Sequence, residues 1–224
     1  EQEKVLLSAG HGVYFHHGFK DWRPQRERSF SILEDDITQD FVEELSEHLS
    51  KKEWGKPSPY LPVLTRSLAS EVHEPSGRPW RDLAARYWLE KLYPDNPEIW
   101  HSMPNSTSPQ RERLEDIRSR LKFANHIDAT AAIHIHTNAW ADASTRGARI
   151  FYQKGSADGQ RMATSLACHL EGVLHSHPEF ADYVVDRTPR EGNYAELKGA
   201  NMPSALVEIG FHTNKEDAAA IAWK

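Results

Sequence analysis

The segment T-A-A-I-H-I-H-T-N at residues 130–138 has the composition of a buried strand, yet it carries two imidazole groups. Side chains alternate across a strand, so Ala132, His134, His136 and Asn138 share one face while the isoleucines share the other. A buried polar group without a partner costs about 1 to 3 kcal/mol. Hydrogen bonds to neighbouring backbone groups would satisfy the histidines, and so would a bound metal ion.

Composition narrows the class of protein before any other motif is considered. The chain has 224 residues, a net charge of -6 and 27 basic residues that form no continuous stripe, which argues against nucleic acid as a partner. It contains no run of 18 apolar residues, so no membrane span is expected. The single Cys168 excludes an intrachain disulfide and a cysteine-based zinc cluster, and its apolar surroundings predict a packed, inert thiol.

Apolar periodicity predicts strands and helices that alternate along most of the chain. Strands are predicted at 5–9, 62–66, 130–138, 148–153 and 204–211, with a short edge strand at 193–197. Helices are predicted at about 35–52, 114–125, 159–174 and 213–224, and residues 13–30 are predicted to be a loop. This alternation predicts an α/β fold, with a twisted, mostly parallel or mixed sheet of about six strands covered by helices on both faces. One domain covering residues 1–224 is expected.

The segment 67–115 is too long for an ordinary connection and is rich in proline. It also holds Trp80, Trp88 and Trp100, and residues 83–92 have the spacing of an amphipathic helix. We interpret it as an insertion, with two alternatives for its role. It is either a solvated surface excursion or a rim over the active cleft whose tryptophans contact the substrate.

Three polar residues stand where polar residues are unexpected. His11 follows the first strand in a G-H-G turn, and His11 and His136 both fall at carboxyl ends of strands, where α/β sheets place their ligand sites. Glu208 lies inside an apolar strand, where an ionised carboxylate needs a partner. It is either an acid/base next to a metal or one half of a salt bridge with Arg66 or Arg120.

Glu34 has two competing interpretations. S-I-L-E at 31–34 matches a capping box, in which Glu34 would accept a hydrogen bond from the backbone N–H of Ser31. Alternatively, its carboxylate points toward His11 and binds the same metal. A second His-x-His motif at 175–177 directly precedes Pro178, so a solvated helix end is expected there.

These motifs together resemble those of the zinc-dependent N-acetylmuramoyl-L-alanine amidases, a family of cell-wall hydrolases. S-A-G-H-G at 8–12 is similar to the family's D-A-G-H-G, with Ser8 in place of the aspartate. Glu34 stands where the family has its ligand glutamate. The similarity continues in L-T-R at 64–66, R-L-K-F-A-N at 120–125, I-H-T-N-A at 135–139 and M-P-S-A-L-V-E-I-G-F at 202–211.

The resemblance implies a single-zinc α/β catalytic domain. It implies one Zn²⁺ per chain bound by His11, Glu34 and His136, with Glu208 as the catalytic acid/base. It favours His136 over His134 as the ligand, because the family pattern has a serine two positions before its ligand histidine.

The resemblance also implies a substrate and a location. The expected reaction is cleavage of the amide between the lactyl group of N-acetylmuramic acid and L-alanine of the stem peptide, with peptidoglycan or muropeptides as substrates. The expected location is the cell envelope, periplasmic or secreted, and an activating protein partner remains open. The expected substrate contacts are Asn138, Arg66, Trp80, Trp88 and Trp100. Two alternatives remain, a zinc peptidase acting on cell-wall peptides and a non-catalytic wall-binding relative.

Overall fold

A computed structural model of the protein describes residues 2–52 and 55–223. Its strands are β1 (Glu3–Ala9), β2 (Tyr14–His16), β3 (Asp21–Arg23), β4 (Tyr60–Leu64), β5 (Val72–His73), β6 (Arg78–Pro79), β7 (Ala131–Asn138), β8 (Arg149–Gln153), β9 (Arg190–Gly192) and β10 (Ser204–Phe211). Its helices are α1 (Glu34–Ser50), α2 (Ala85–Leu92), α3 (Pro97–Trp100), α4 (Arg111–His126), α5 (Ala157–His175) and α6 (Lys215–Ile221).

Six strands form the central sheet in the order β4-β1-β7-β10-β8-β9. The first four are mutually parallel, β8 runs antiparallel to β10, and β9 runs parallel to β8. The predicted α/β fold with a mixed, mostly parallel sheet is therefore confirmed. Because β1, β7 and β10 are adjacent and parallel, their carboxyl ends meet at one edge of the sheet.

Helices cover both faces of this sheet. One face packs against α1 and α5 through an apolar layer that includes Leu7, Ile135 and Val207. The other face packs against α2, α3 and α4, with Leu6 and Ala132 in its core. The apolar part of this second face gives way to polar side chains near the carboxyl ends of the strands.

The segment 67–115 contributes to the core instead of forming a detachable excursion. Leu89 and Ile99 are at most 1% exposed and pack with Leu121 and Phe123 of α4. The predicted helix at 83–92 is present as α2, and the segment also contains β5, β6 and α3. A solvated surface excursion is therefore the wrong interpretation, because this segment covers one face of the sheet.

Several local predictions need correction. Residues 13–30 are not all loop, because β2 and β3 pair as an antiparallel hairpin. The predicted edge strand at 193–197 is a turn in which Tyr194 O accepts from the N–H groups of Leu197 and Lys198, and the edge strand is β9 instead. Cys168 is exposed on α5 and is not packed. The final helix ends at Ile221, and residue 224, where it was predicted to end, lies outside the described residues.

Among the helices of the described residues, none combines the length and the apolar character needed to cross a membrane.

Candidate metal centre

The first strand ends in a tight turn that presents His11. His11 and Gly12 have φ angles of 60° and 117°, and a left-handed histidine is the kind of backbone strain that persists at functional sites. A Cβ atom on Gly12 would lie 2.7 Å from the backbone of Ala84, and one on Gly10 would lie 2.5 Å from Nδ1 of His136. Glycine at position 10 leaves room for the His136 ring, whose centroid lies 5.0 Å from that of His11, and glycine at position 12 lets the turn pack against the backbone before α2.

Glu34 is the first residue of α1 and is fully buried. The capping box does not form, because the helix start has no side-chain cap hydrogen bond and Ser31 has a left-handed φ of 67°. Oε1 of Glu34 instead lies 3.1 Å from Nδ1 of His136 and 3.3 Å from Nε2 of His11. Tertiary contacts therefore direct this carboxylate toward the two histidines.

His11, Glu34 and His136 form a buried group whose ligand atoms all lie within 4.8 Å of one another. Burial raises the pKa of Glu34, but the two imidazole groups outweigh burial and hold that pKa well below its usual value. Burial lowers the pKa of His136, but the carboxylates of Glu196 and Glu34 outweigh burial and raise it to about 10. Two imidazole nitrogens and one carboxylate oxygen can together hold a metal ion.

Glu208 lies on β10 directly opposite His136 in the pairing of β10 with β7. It is 8% exposed, and its Oε2 has no hydrogen-bond partner among the described residues. Burial raises the pKa of Glu208 to about 7, although His136 acts in the opposite direction. The alternative of a salt bridge with Arg66 or Arg120 is wrong, because both guanidinium groups are engaged elsewhere.

Two of the predicted substrate contacts lie close to this group in the fold. Arg66 is 1% exposed and donates to four backbone carbonyl groups at 2.7–3.3 Å, which favours a scaffold role over a substrate contact. Asn138 is the last residue of β7 and is half-buried, and its side chain accepts from the N–H of Ala139 at 2.8 Å.

The three tryptophans have different surroundings. Trp80 and Trp100 line a cavity of about 750 Å³. Trp88 packs edge to face against Trp80 at 5.7 Å between centroids, and the Lys91 ammonium lies over both rings. The indole N–H of Trp100 donates to Tyr93 O at 2.9 Å, and its ring also packs against the core.

Residues that hold His11 in place were not predicted from the sequence. Gln25 Oε1 lies 3.1 Å from Nδ1 of His11, and the Gln25 amide donates to Asp116 at 2.8 Å. Asp35 accepts from the N–H groups of Gly12 and Gln25 at 3.0 and 2.7 Å, which ties the loop to the turn. The only local signal was the position of Asp35 directly after Glu34.

Glu196 is the most informative residue that the sequence analysis missed. It is 4% exposed, and its carboxylate lies 3.1 Å from Nε2 of His136 and 3.5 Å from Nδ1 of His134. A single acid in a segment assigned to an edge strand gives no periodic signal, and its partners lie about 60 residues away in the chain.

Arg26 and His212 border the ligands on the open side. Nε of Arg26 lies 3.0 Å from Nε2 of His11 and 3.1 Å from Oε2 of Glu34. Nδ1 of His212 lies 2.8 Å from the hydroxyl of Thr137. Arg26 and His212 also line a cavity of about 430 Å³, whose lining includes none of the three candidate ligands.

A family model for N-acetylmuramoyl-L-alanine amidases matches residues 5–224 of the chain. The match includes the three candidate ligands and Glu208. The chain belongs to this family. Membership in the amidase family thus agrees with the resemblance described for the sequence motifs.

Curated relatives match part of the amidase chain. The germination-specific N-acetylmuramoyl-L-alanine amidase of Bacillus subtilis (strain 168) is 30% identical over 111 residues, which are 50% of this chain and 44% of that protein. The uncharacterized protein YqiI of the same strain is 28% identical over 97 residues, which are 42% of each chain. The matched segments thus span less than half the length of these relatives.

Solved structures match the amidase chain over nearly its full length. The CwlD amidase from Clostridioides difficile, in complex with the GerS lipoprotein, has a TM-score of 0.62 at 20% identity and covers 99% of this chain and 89% of its own. An N-acetylmuramoyl-L-alanine amidase from Clostridium difficile 630 has a TM-score of 0.61 at 18% identity, and the match covers 100% of this chain and 87% of that one. These similarities establish a shared fold.

Proposed function

We propose that the protein is a zinc-dependent amidase that cleaves the amide between the lactyl group of N-acetylmuramic acid and L-alanine of the peptidoglycan stem peptide. The observation that carries this proposal is the buried group of His11, Glu34 and His136. It lies in a chain whose amidase family match extends over residues 5–224. Glu208, which lies opposite His136 in the sheet, supplies the acid/base group of the proposed site.

The residues present suit a zinc ion. Two imidazole nitrogens and one carboxylate oxygen leave a fourth tetrahedral position open, as in catalytic zinc sites. Oε2 of Glu34 is buried and makes no well-aligned hydrogen bond among the described residues, and its one charged neighbour is Nε of Arg26 at 3.1 Å, so the site already accommodates a positive charge. Arg26, whose side chain is 38% exposed, can withdraw toward solvent when another cation binds. A bound zinc ion would polarise the scissile carbonyl and acidify a water molecule.

Glu208 moves a proton in this proposal. Its Oε2 is buried and unpaired among the described residues, and burial raises the pKa of Glu208 to about 7. That pKa belongs to the metal-free site, and a bound zinc ion would lower it, which favours the carboxylate form that accepts a proton at neutral pH. Glu208 accepts the proton of the attacking water and delivers it to the leaving nitrogen of L-alanine.

The cavity of about 750 Å³ is proposed to bind part of the substrate. Its lining includes the aromatic rings of Trp22, Trp80 and Trp100 and the exposed side chain of Lys91, whereas the Arg86 guanidinium in the same lining is already paired with Glu112. Aromatic surfaces suit sugar rings, and cations suit the carboxylates of a stem peptide. Trp88 does not line this cavity but packs against Trp80, and we propose that it supports the position of the Trp80 ring. Asn138, at the end of β7, is proposed as a polar substrate contact.

The proposed substrate determines the proposed location. Since peptidoglycan is part of the cell wall, the protein acts in the cell envelope, as a periplasmic or secreted enzyme. The structure of the related CwlD amidase contains the GerS lipoprotein. A protein partner for this chain is included in the proposal on that basis.

The bond that is cleaved tests this function. Purified peptidoglycan and soluble muropeptides are digested with zinc-loaded protein, with chelator-treated protein and with chelator-treated protein given zinc again. Mass spectrometry should show glycan with a free lactyl carboxyl group and an intact stem peptide that begins with L-alanine. Activity should disappear with the chelator and return with zinc.

Two results would contradict the proposal. Cleavage inside the stem peptide would make the protein a zinc peptidase. Undiminished activity after complete zinc removal would show that the reaction does not depend on zinc. His136→Ala is the matched control, since it removes one proposed ligand from the buried group.

A further inference from the structure

His136 is contacted on both ring nitrogens by buried carboxylates. Its Nδ1 lies 3.1 Å from Oε1 of Glu34, inside the ligand group. Its Nε2 lies 3.2 Å from Oε1 and 3.1 Å from Oε2 of Glu196, outside that group. One ring nitrogen of His136 therefore belongs to the ligand group, and the other contacts a carboxylate outside it.

We propose that Glu196 is a positioning residue that holds His136 with Nδ1 directed at the zinc site. This inference rests on the proposed function, because it concerns a ligand of the proposed zinc ion. A carboxylate can only accept, so without metal both ring nitrogens of His136 donate, Nδ1 to Glu34 and Nε2 to Glu196. A bound zinc ion would take the place of the proton on Nδ1, while Nε2 would keep its proton and its hydrogen bond to Glu196. That tautomer leaves the lone pair of Nδ1 free for a metal. Metal-binding histidines are commonly oriented by a carboxylate in this way.

The ring has little freedom to adopt another orientation. His136 is 6% exposed, and Gly10 lies so close that a Cβ atom there would be 2.5 Å from Nδ1 and 2.7 Å from Cε1. The backbone of Gly10 thus confines the ring from one direction while Glu196 holds Nε2 from the other.

Glu196 is itself fixed by buried groups. Oε1 of Glu196 lies 3.8 Å from Nε of Arg120 and 3.5 Å from Nδ1 of His134. Arg120 is 1% exposed and is held by Asp116 at 2.9 Å and by His11 O at 2.6 Å. The guanidinium of Arg120 thus adds a nearby positive charge that offsets part of the cost of burying this carboxylate.

The residues that orient His11 and His136 both lead to Asp116. Asp116 Oδ2 accepts from Nε2 of Gln25, which supports His11, and from Nη2 of Arg120, which supports Glu196. Both ligand histidines are therefore oriented through a network that ends on the same carboxylate of α4. His134 contributes to this network by contacting Glu196, without belonging to the ligand group.

The test measures zinc affinity by competition with a fluorescent chelator. Glu196→Ala should weaken zinc binding by about 10- to 100-fold, the usual cost of removing such a partner. Glu196→Gln should weaken it less, because the amide oxygen can still accept from Nε2. Glu115→Gln is the matched control, since Glu115 is also fully buried and paired with an arginine but lies outside the ligand group. It should leave zinc affinity unchanged.

A second measurement does not depend on any variant folding. In zinc-loaded wild-type protein labelled with ¹⁵N-histidine, long-range ¹H–¹⁵N spectra should show His136 coordinated through Nδ1 and protonated on Nε2. Coordination through Nε2 would overturn the inference, as would unchanged zinc affinity in both Glu196→Gln and a folded Glu196→Ala. Wild-type protein that binds no zinc would instead overturn the proposed function itself.

Discussion

The two faces of the central sheet carry opposite kinds of side chain on the same strands. The face toward α1 and α5 is apolar and includes Leu7, Ile133, Ile135, Val207 and Ile209. At the carboxyl ends of the strands, the face toward α4 is polar and includes Ser8, His134, His136 and Glu208, each at most 8% exposed.

This difference means that one face of the sheet mainly stabilises the fold, whereas the other face carries the candidate metal site. The apolar face is stabilised by buried area, at about 25 cal/mol per Å², and this contribution has no directional requirement. The polar face depends on partners within hydrogen-bond distance, since each buried polar group must be satisfied. Substitutions on the polar face should therefore reduce zinc binding, whereas substitutions of sequence neighbours on the apolar face should lower the free energy of unfolding.

The largest effect is expected from His136→Ala on the polar face. Zinc content should fall from one ion per chain to nearly none, and wall hydrolysis should be lost with it, because one of three ligands is missing. Metal analysis and circular dichroism of the purified variant check this. His134→Ala should keep most of its zinc, since His134 lies outside the ligand group. If His134→Ala alone emptied the site, the assignment of the ligand would be wrong.

Glu34→Ala should have a comparable effect on zinc. The carboxylate contacts both ligand histidines and forms no helix cap, so its loss should abolish tight metal binding. Ser31→Ala is the control, because the cap is not formed and the usual cost of about 1 kcal/mol for losing one should be absent. A Glu34→Ala protein with full metal content and a slightly lower melting temperature would restore the capping interpretation.

Ile135→Ala tests the apolar face, one residue before His136. The free energy of unfolding should fall by about 2 to 5 kcal/mol, as for other buried isoleucines. The lower end is expected because Ile135 borders an apolar groove of about 290 Å³ between α1 and α5. Chemical denaturation measures the loss, and zinc content should stay at one per chain. Loss of zinc without loss of stability would contradict the separation of the two faces.

In metal-free protein, the raised pKa of Glu208 should make the free energy of unfolding depend on pH. Burial raises its pKa from 4.5 to about 7, so the folded state binds more protons than the unfolded state in that interval. Stability should therefore fall as the pH rises from 4.5 to above 7, by about 3 kcal/mol at 1.36 kcal/mol per unit. Denaturant unfolding of wild type and Glu208→Gln at pH 5 and pH 8 isolates this contribution. Parallel pH dependence in both proteins would rule it out.

Periodicity made the sheet predictable, but not every part of the site. His11 and His136 could be located because they stand at carboxyl ends of strands with clear apolar patterns. Glu34 was ambiguous because a local pattern favoured a cap, and only its contacts with distant histidines decide its role. Glu196 could not be found, since it lies in a turn 60 residues from His136.

The packing of the segment 67–115 could not be predicted from the sequence either. Its prolines and tryptophans left two interpretations open, a solvated surface excursion and a rim over the active cleft. Leu89 and Ile99 are nevertheless core residues, because short helices can bury single apolar side chains without a long periodic pattern.

Glu208→Gln tests the central claim most directly, because it removes a basic group and keeps the shape of the side chain. If Glu208 moves the proton and does not bind the metal, the variant should remain folded and zinc-loaded. Peptidoglycan hydrolysis should fall by a factor of about 100 to 10,000, the usual range for a positioned general acid/base. A folded, zinc-loaded Glu208→Gln protein with full activity would contradict the account.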